Sequence, residues 1–252
     1  MIIEGKKLAA EVLARAKARA KGLGRRPLVV AYAPAPTAAT NSYLKIKERS
    51  AAVAGCTFET RETPDFTDAD AAIIQLPLPT GMDAKILETI PLEKDADVLS
   101  RAAREAGTLL PPVVGAIKEI FDTYQVEPRG KRAVVIGKGF LVGAPASKWL
   151  REEGAEVVVA DSKTKDLAGL LKTADIIISG VGIPGLVKPE MLKDGVILVD
   201  AGTSELSGKV VGDADPACAD KCSLFTPVPG GIGPLAVAKL FENAVVLAER
   251  LK

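Results

Sequence analysis

Lys131-Arg-Ala-Val-Val-Ile-Gly-Lys-Gly-Phe-Leu-Val-Gly-Ala-Pro145 is the stretch that decides the fold. Its apolar, β-branched start predicts a buried strand over Lys131–Ile136, and a helical pattern runs from the last glycine to about Glu153. Gly137, Gly139 and Gly143 lie between them. A turn of this kind lets backbone come close to a pyrophosphate resting at the helix N-terminus. The spacing is G-x-G-x-x-x-G, with Val142 where the third glycine of the usual fingerprint stands. Taken alone, the loop reads either as a dinucleotide cradle or as a tight strand-to-helix turn.

The same alternation continues on both sides. Glu156–Ala160, Asp175–Ser179 and Val196–Asp200 are predicted strands, with a short helix over Leu167–Lys172. A helix is predicted over 114–124, and Pro111-Pro112 just before it marks a change of character. Nearer the N-terminus the pattern gives a helix over 5–22, a strand over Pro27–Ala33 and a helix over Ala39–Ala54 with Thr40 or Asn41 as N-cap. Ala71–Leu76 is a further strand, ended by Pro77 and Pro79, and 82–89 predicts a short helix. Strands alternating with helices predict an α/β fold, with a mainly parallel sheet and right-handed crossovers. A chain of 252 residues is long enough for two modest domains.

Composition removes several classes of function. Lys+Arg number 33 against 32 for Asp+Glu, so no general basic surface for nucleic acid is expected. No apolar run approaches the length of a membrane span, and the N-terminus leads directly into a helical pattern with no signal peptide, which predicts a cytoplasmic protein. Cys56, Cys218 and Cys222 are too few for a disulfide framework. Cys218 and Cys222 have neither a second pair nor any histidine beside them, so no metal site is expected. The lack of histidine leaves proton transfer to Lys, Tyr, Asp, Glu or water.

Six further places carry candidate chemistry. Asp161 ends the strand after the glycine loop, about 20 residues beyond Gly139, where an acid accepts hydrogen bonds from the ribose hydroxyls of NAD. Lys138, Ser162, Lys163 and Lys165 pull the other way, toward the 2′-phosphate of NADP. Later strand ends offer close-approach glycines in Ser179-Gly-Val-Gly-Ile-Pro-Gly185 and Asp200-Ala-Gly202. Tyr43 and Lys47, four apart, share one helix face, while Lys45 points away. Beside a cleft such a lysine has its pKa lowered by desolvation and serves proton transfer; otherwise the pair is an ordinary solvated face. Gln75, at the end of an apolar strand, needs hydrogen-bond partners and is suited to hold an ammonium. Asp95 and Asp97 form a loop that either binds a polar heterocycle or is simply solvated. Finally, Thr226-Pro-Val-Pro-Gly-Gly-Ile-Gly-Pro234 is rich in stiff proline and bare glycine ahead of an apolar helix. It reads as a rigid wall open to a ligand or as a turn capping that helix.

These pieces in this order resemble the bifunctional 5,10-methylenetetrahydrofolate dehydrogenase/5,10-methenyltetrahydrofolate cyclohydrolase family. The resemblance runs over nearly the whole chain, through Tyr43-x-x-x-Lys47, Gln75-Leu-Pro-Leu-Pro79, Lys94-Asp-Ala-Asp97, the glycine loop, Ser162-Lys-Thr164, Gly182-x-Pro-Gly185 and the Pro-Gly-Gly segment. It implies an N-terminal folate-binding α/β domain over 1–113, rejoined by a C-terminal helix over 235–252, and a Rossmann-type domain over 114–234. It implies that Lys47 carries the chemistry, held by Gln75, that Tyr43 packs on the folate ring and that Asp97 anchors the pterin. Pro229, Gly230 and Gly231 would line the cleft between folate and nicotinamide. Gly137, Lys138, Gly139, Val142, Gly143, Asp161, Ser162, Gly182, Pro184 and Gly202 would hold the dinucleotide. A tetrahydrofolate substrate, NADP ahead of NAD, and a homodimer complete the expectation. A dehydrogenase-only member and a non-catalytic dinucleotide sensor are the alternatives.

The chain departs from the family pattern at four points. Val98 follows Asp97 where glycine is usual, and the usual Pro-Cys-Thr-Pro-x-Gly is replaced by Leu110-Pro-Pro-Val-Val-Gly115. Gly137-Lys-Gly139 stands for Gly-Arg-Ser, and Asp161 stands for a histidine. The last two weaken a 2′-phosphate site and leave the choice of cofactor open.

Overall fold

The computed structural model describes residues 1–251, and the chain divides into two compact units. One unit is Ala9–Pro112 together with the chain from Val237 on; the other is Met1–Leu8 with Val113–Ala236.

The first unit is built on three parallel strands, β1 (Leu28–Tyr32), β2 (Thr57–Arg61) and β3 (Ala71–Ile74), in the order β2-β1-β3. β1 and β3 are apolar and buried, as a strand covered on both faces must be. Val30, Tyr32, Phe66, Ile74, Leu87 and Leu99 form one core beside them. Helix α1 (Gly5–Lys21) precedes β1, and α2 (Ala38–Ala54) makes the crossover from β1 to β2. The N-cap of α2 is Thr37, not the expected Thr40 or Asn41. Thr37 is extended and its hydroxyl accepts from Thr40 N at 3.2 Å, so the cap lies about a turn before the expected one and the helix starts at Ala38. The helix expected over 82–89 is a 3₁₀ segment, Ala84–Thr89, capped by Asp83. α3 (Arg101–Ala106) follows. The C-terminal helix α7 (Ile232–Arg250) returns to this unit: Asn243 Nδ2 donates to Ala96 O and Leu110 O at 3.0 Å each, and Phe58 meets Phe241 edge-on at 6.1 Å.

The second unit carries five parallel strands: β4 (Arg132–Ile136), β5 (Glu156–Ala160), β6 (Ile176–Ser179), β7 (Val196–Asp200) and β10 (Cys222–Phe225). Helices α4 (Pro112–Thr123), α5 (Gly143–Glu152) and α6 (Leu167–Lys172) and an antiparallel hairpin, β8 (Ser204–Leu206) with β9 (Lys209–Val211), complete it. The strand order is β10-β7-β6-β4-β5. The chain moves from β4 outward to β5 and then returns to the other side of β4 as β6. The order therefore reverses between β4 and β6, and in open α/β sheets ligands bind in the crevice at the carboxyl ends of such a pair.

Two boundaries differ from the sequence expectation. Residues 1–8 belong to the five-stranded unit because Ile3 N donates to Phe225 O at 2.8 Å and Phe225 N to Met1 O at 2.9 Å, lengthening the edge at β10. The last helix begins at Ile232, so Pro234 lies inside its first turn, where a missing N–H leaves nothing unsatisfied.

Candidate active site

Lys47 lies on α2 and its ammonium donates to Gln75 Oε1 at 2.9 Å. Gln75 follows β3, its N–H still paired with Tyr32 O at 2.9 Å, so the strand fixes its position. Its other end donates to Leu76 O at 2.6 Å, which turns the carbonyl oxygen toward the lysine. Gln75 is buried, and both ends of its carboxamide are satisfied. Burial pushes the Lys47 amine below its ordinary value of 10.5, and the charge of Asp97 partly opposes the shift. Burial likewise raises the Asp97 carboxyl, against the pull of Lys47. Two opposite charges, both on half-buried residues, thus act on each other, and desolvation moves each toward its neutral form. Tyr43, one turn before Lys47, is about half exposed at 49% and offers an open aromatic face.

The loop that presents Asp97 is held from three sides. Asp95 is buried and accepts from Leu99 N at 3.1 Å and Ser100 N at 2.7 Å. Asp95 is therefore a structural brace of this loop. Asn243 fixes the carbonyl of Ala96, and Arg104 Nε donates to Val98 O at 3.0 Å. Val98 has φ +55° and is buried. A β-branched residue is strained in that left-handed region, which accounts physically for the glycine usual in the resembled family.

The Pro-Gly-Gly segment is bound into the five-stranded unit. Thr226 is fully buried; its hydroxyl accepts from Asp200 N at 2.7 Å and donates to Asp200 O at 3.2 Å. The Val228–Pro229 bond is cis. Gly230 has φ +109°, and a side chain on Gly231 would strike Pro227 O at 2.7 Å. Sequence reading missed the residue that packs on this wall most tightly. A Cβ on Gly5 would lie 1.8 Å from Gly231 O and 2.6 Å from Gly230 O. The signal was a lone glycine at the start of a helical pattern.

At the switch point, the loop after β4 meets the loop after β6. Gly137 has φ +96° and leaves room for Val181, since a Cβ there would stand 2.4 Å from that side chain. A Cβ on Gly180 would stand 2.5 Å from the Val142 side chain, and one on Gly143 would stand 2.2 Å from Gly137 O. A methyl on Gly139, in contrast, would meet no atom within 4 Å. The glycine loop is thus closed by its own packing, except at Gly139, where backbone lies open as a phosphate cradle requires. Lys138 pairs with the Asp161 carboxylate, which holds that acid below the usual range, and Asp161 Oδ1 also accepts from Lys163 N at 2.9 Å. Ser162 and Pro184 are exposed.

Gly182 and Gly202 have structural duties. Ser204 Oγ donates to Gly182 O at 2.7 Å, and a Cβ on Gly202 would strike the Asp213 carboxylate at 2.2 Å. Asp213, which sequence reading did not single out, accepts from Ser179 Oγ at 2.6 Å, Val181 N at 2.8 Å and Ile183 N at 2.8 Å. It shapes the whole loop after β6. Among the described residues no cluster of His, Cys, Asp or Glu suits a metal, and no helix is long and apolar enough to cross a membrane.

Comparison with known proteins bears on both units. The family described as tetrahydrofolate dehydrogenase/cyclohydrolase, NAD(P)-binding domain, matches residues 111–252. The bifunctional protein FolD of Lactobacillus gasseri is 35% identical over 275 aligned positions, which cover 99% of this chain and 98% of that protein. The crystal structure of the FolD methylenetetrahydrofolate dehydrogenase/cyclohydrolase from Campylobacter jejuni superposes with a TM-score of 0.94 at 31% identity, covering 100% of this chain and 99% of that one. The Trypanosoma brucei enzyme, complexed with NADP cofactor and inhibitor, gives 0.91 at 29% identity over 100% of this chain and 98% of its own.

Proposed function

We propose that this chain, which belongs to the tetrahydrofolate dehydrogenase/cyclohydrolase family, oxidises 5,10-methylenetetrahydrofolate with a nicotinamide dinucleotide and hydrolyses the methenyl product to 10-formyltetrahydrofolate. The observation that carries the reading is the Lys47–Gln75 hydrogen bond of 2.9 Å, made by a desolvated amine near Asp97. A chain without histidine has few other groups for the proton transfers of this reaction.

The residues do the following. Asp97 anchors the pterin by hydrogen bonds, and Tyr43 stacks on its ring. The one-carbon bridge of the folate gives up a hydride. A bound dinucleotide would supply the acceptor; the open backbone at Gly139 would take its pyrophosphate, and Gly137 and Gly143 set the tight turn that presents it. Water then adds to the methenyl carbon. Lys47, whose lowered pKa increases its neutral fraction, takes the proton of that water, while Gln75 fixes the direction of the amine. Pro229, Gly230 and Gly231 give a side-chain-poor surface to the substrate. Holding two reactants in position contributes at most about 7–11 kcal/mol.

We take NADP as the preferred cofactor, in keeping with the NADP-bound Trypanosoma brucei relative. The Lys138–Asp161 pair explains how an acid can stand in this place: lysine neutralises the carboxylate that would repel a 2′-phosphate. Asp161→Ser releases Lys138 and should raise the NADP-to-NAD ratio of kcat/KM several-fold; an unchanged or lowered ratio rejects this account. We also take the enzyme to be a cytoplasmic homodimer, on the family resemblance; a monomer mass by light scattering rejects the dimer.

The assay mixes purified protein with methylenetetrahydrofolate and either dinucleotide and follows both chromophores. Reduced nicotinamide together with methenyl loss faster than in buffer is the expected result. Methenyl that accumulates and decays at the buffer rate identifies a dehydrogenase alone. Silence with intact dinucleotide binding identifies a sensor.

A further inference from the structure

Val98 follows Asp97 directly, is buried and has φ +55°. A β-branched residue enters this left-handed region at a disadvantage of about five- to thirty-fold, so the turn has to be held from outside. Asp95 grips the main chain after it, through Leu99 N and Ser100 N, and Asn243 grips the carbonyl of Ala96 before it. Arg104 grips Val98 itself: its Nε donates to Val98 O at 3.0 Å. Arg104 reaches that carbonyl from a fixed starting point. Ser100 caps α3, its Oγ accepting from Ala103 N at 3.2 Å, and Ser100 O accepts from Arg104 N at 3.2 Å. Because Ser100 N is tied to Asp95, the chain from Asp95 to Arg104 forms a closed circuit around Asp97, fastened by a carboxylate at one end and a guanidinium at the other.

The surroundings keep the guanidinium in place. Burial lowers Arg104 below its ordinary value of 12.5, and the charges of Asp95, Glu88 and Asp97 oppose that shift. We propose that Arg104 is a positioning residue for folate binding: by holding the Val98 carbonyl it maintains the left-handed turn that aims Asp97. Glycine, usual at this place in the family pattern, enters such a turn freely and needs no clamp; valine does need one, and in this chain Arg104 supplies it. The inference rests on the reading of Asp97 as the pterin anchor. Arg104 acts through Asp97 and not on the folate itself. Without the clamp Val98 relaxes toward extended backbone and carries Asp97 with it. The substrate then has to restore the turn, and its apparent affinity falls by the fraction of molecules that still hold it.

The test is a double-mutant cycle on the full chain: wild type, Arg104→Met, Val98→Gly and the two together, each titrated calorimetrically with tetrahydrofolate and with NADP. Arg104→Met should weaken tetrahydrofolate about tenfold when residue 98 is valine and less than about twofold when it is glycine. KM for methylenetetrahydrofolate should rise by more than kcat falls, and NADP should bind Arg104→Met as it binds wild type. Wild-type tetrahydrofolate affinity in folded Arg104→Met, or an equal loss on both backgrounds, overturns the proposal. A matching loss of NADP affinity marks a global defect and also counts against it. If Arg104→Met does not fold, the neutral Arg104→Gln takes its place in the same cycle. A wild-type protein that binds no tetrahydrofolate fails the folate reading instead. The clamp is then judged by amide hydrogen exchange at Leu99 and Ser100. Arg104→Met should speed it with valine at 98 and leave it nearly unchanged with glycine, and equal rates in wild type and Arg104→Met reject the clamp.

Discussion

Replacing Lys47 by methionine removes the amine and keeps most of the side-chain volume. Two effects on stability oppose each other. Gln75 Oε1 loses its donor, and a buried acceptor left unpaired costs about 1–3 kcal/mol. The native state also no longer holds a desolvated ammonium, whose lowered pKa shows that burial penalises it. The net change should stay within about 2 kcal/mol, or several degrees in unfolding temperature for a domain of this size. The catalytic effect is larger. A positioned general base contributes about 10²–10⁴ in rate, equal to about 3–5 kcal/mol of barrier. Methenyl hydrolysis should therefore fall by that factor at a temperature where the variant is fully folded, as judged by circular dichroism, while NADP binding persists. The pH profile gives an independent check. In wild type the hydrolytic kcat/KM should rise with pH through an ionisation below 10.5, and that limb should be missing in the variant. Hydrolysis at the wild-type rate in folded Lys47→Met refutes the assignment.

Gly5→Ala should cost about 1–3 kcal/mol and lower kcat/KM in both half-reactions, because its Cβ would stand 1.8 Å from Gly231 O; wild-type melting with wild-type kinetics rejects the wedge. Val98→Gly relieves about 1–2 kcal/mol of left-handed strain but gives up about 1.5–3 kcal/mol of valine burial and adds glycine entropy, so urea unfolding should show a small net loss. A Val98→Gly protein more stable than wild type shows that strain dominates. Asp97 has its folded pKa raised above 3.8, so it contributes stability that is present below that value and is lost as pH rises through the raised pKa. Asp97→Asn should flatten the denaturation midpoint across that window, and an unaltered pH dependence contradicts the burial of this carboxyl.

The fold was legible wherever burial imposed an apolar pattern. β1, β3, β4, β6 and β7 are strands covered by other elements, and each appears in the sequence as a β-branched or alanine-rich run. β2 was not legible, because Thr-Phe-Glu-Thr-Arg is an edge strand with mostly exposed side chains and no apolar period. The hairpin β8–β9 is exposed for the same reason, and β10 is only four residues long. Among candidate site residues, Lys47 with Gln75, and the glycine loop with Asp161, could be picked out by type and spacing, and the structure brings Lys47 and Gln75 into a hydrogen bond. Residues that act by packing or by bonding remote main chain could not. Gly5 matters because of an atom it lacks, opposite a carbonyl more than 200 positions away in the chain. Asp213 and Asn243 serve by bonding main-chain groups of remote loops, and no local pattern announces such partners. The same holds at Val98. Its identity marks a departure from the family pattern, but only its φ of +55° shows that the departure is a backbone strain held in place by Asp95, Arg104 and a buried valine side chain. A site of this kind is written in two languages: side-chain chemistry is local and readable, while the packing that aims it becomes visible only when the chain is folded.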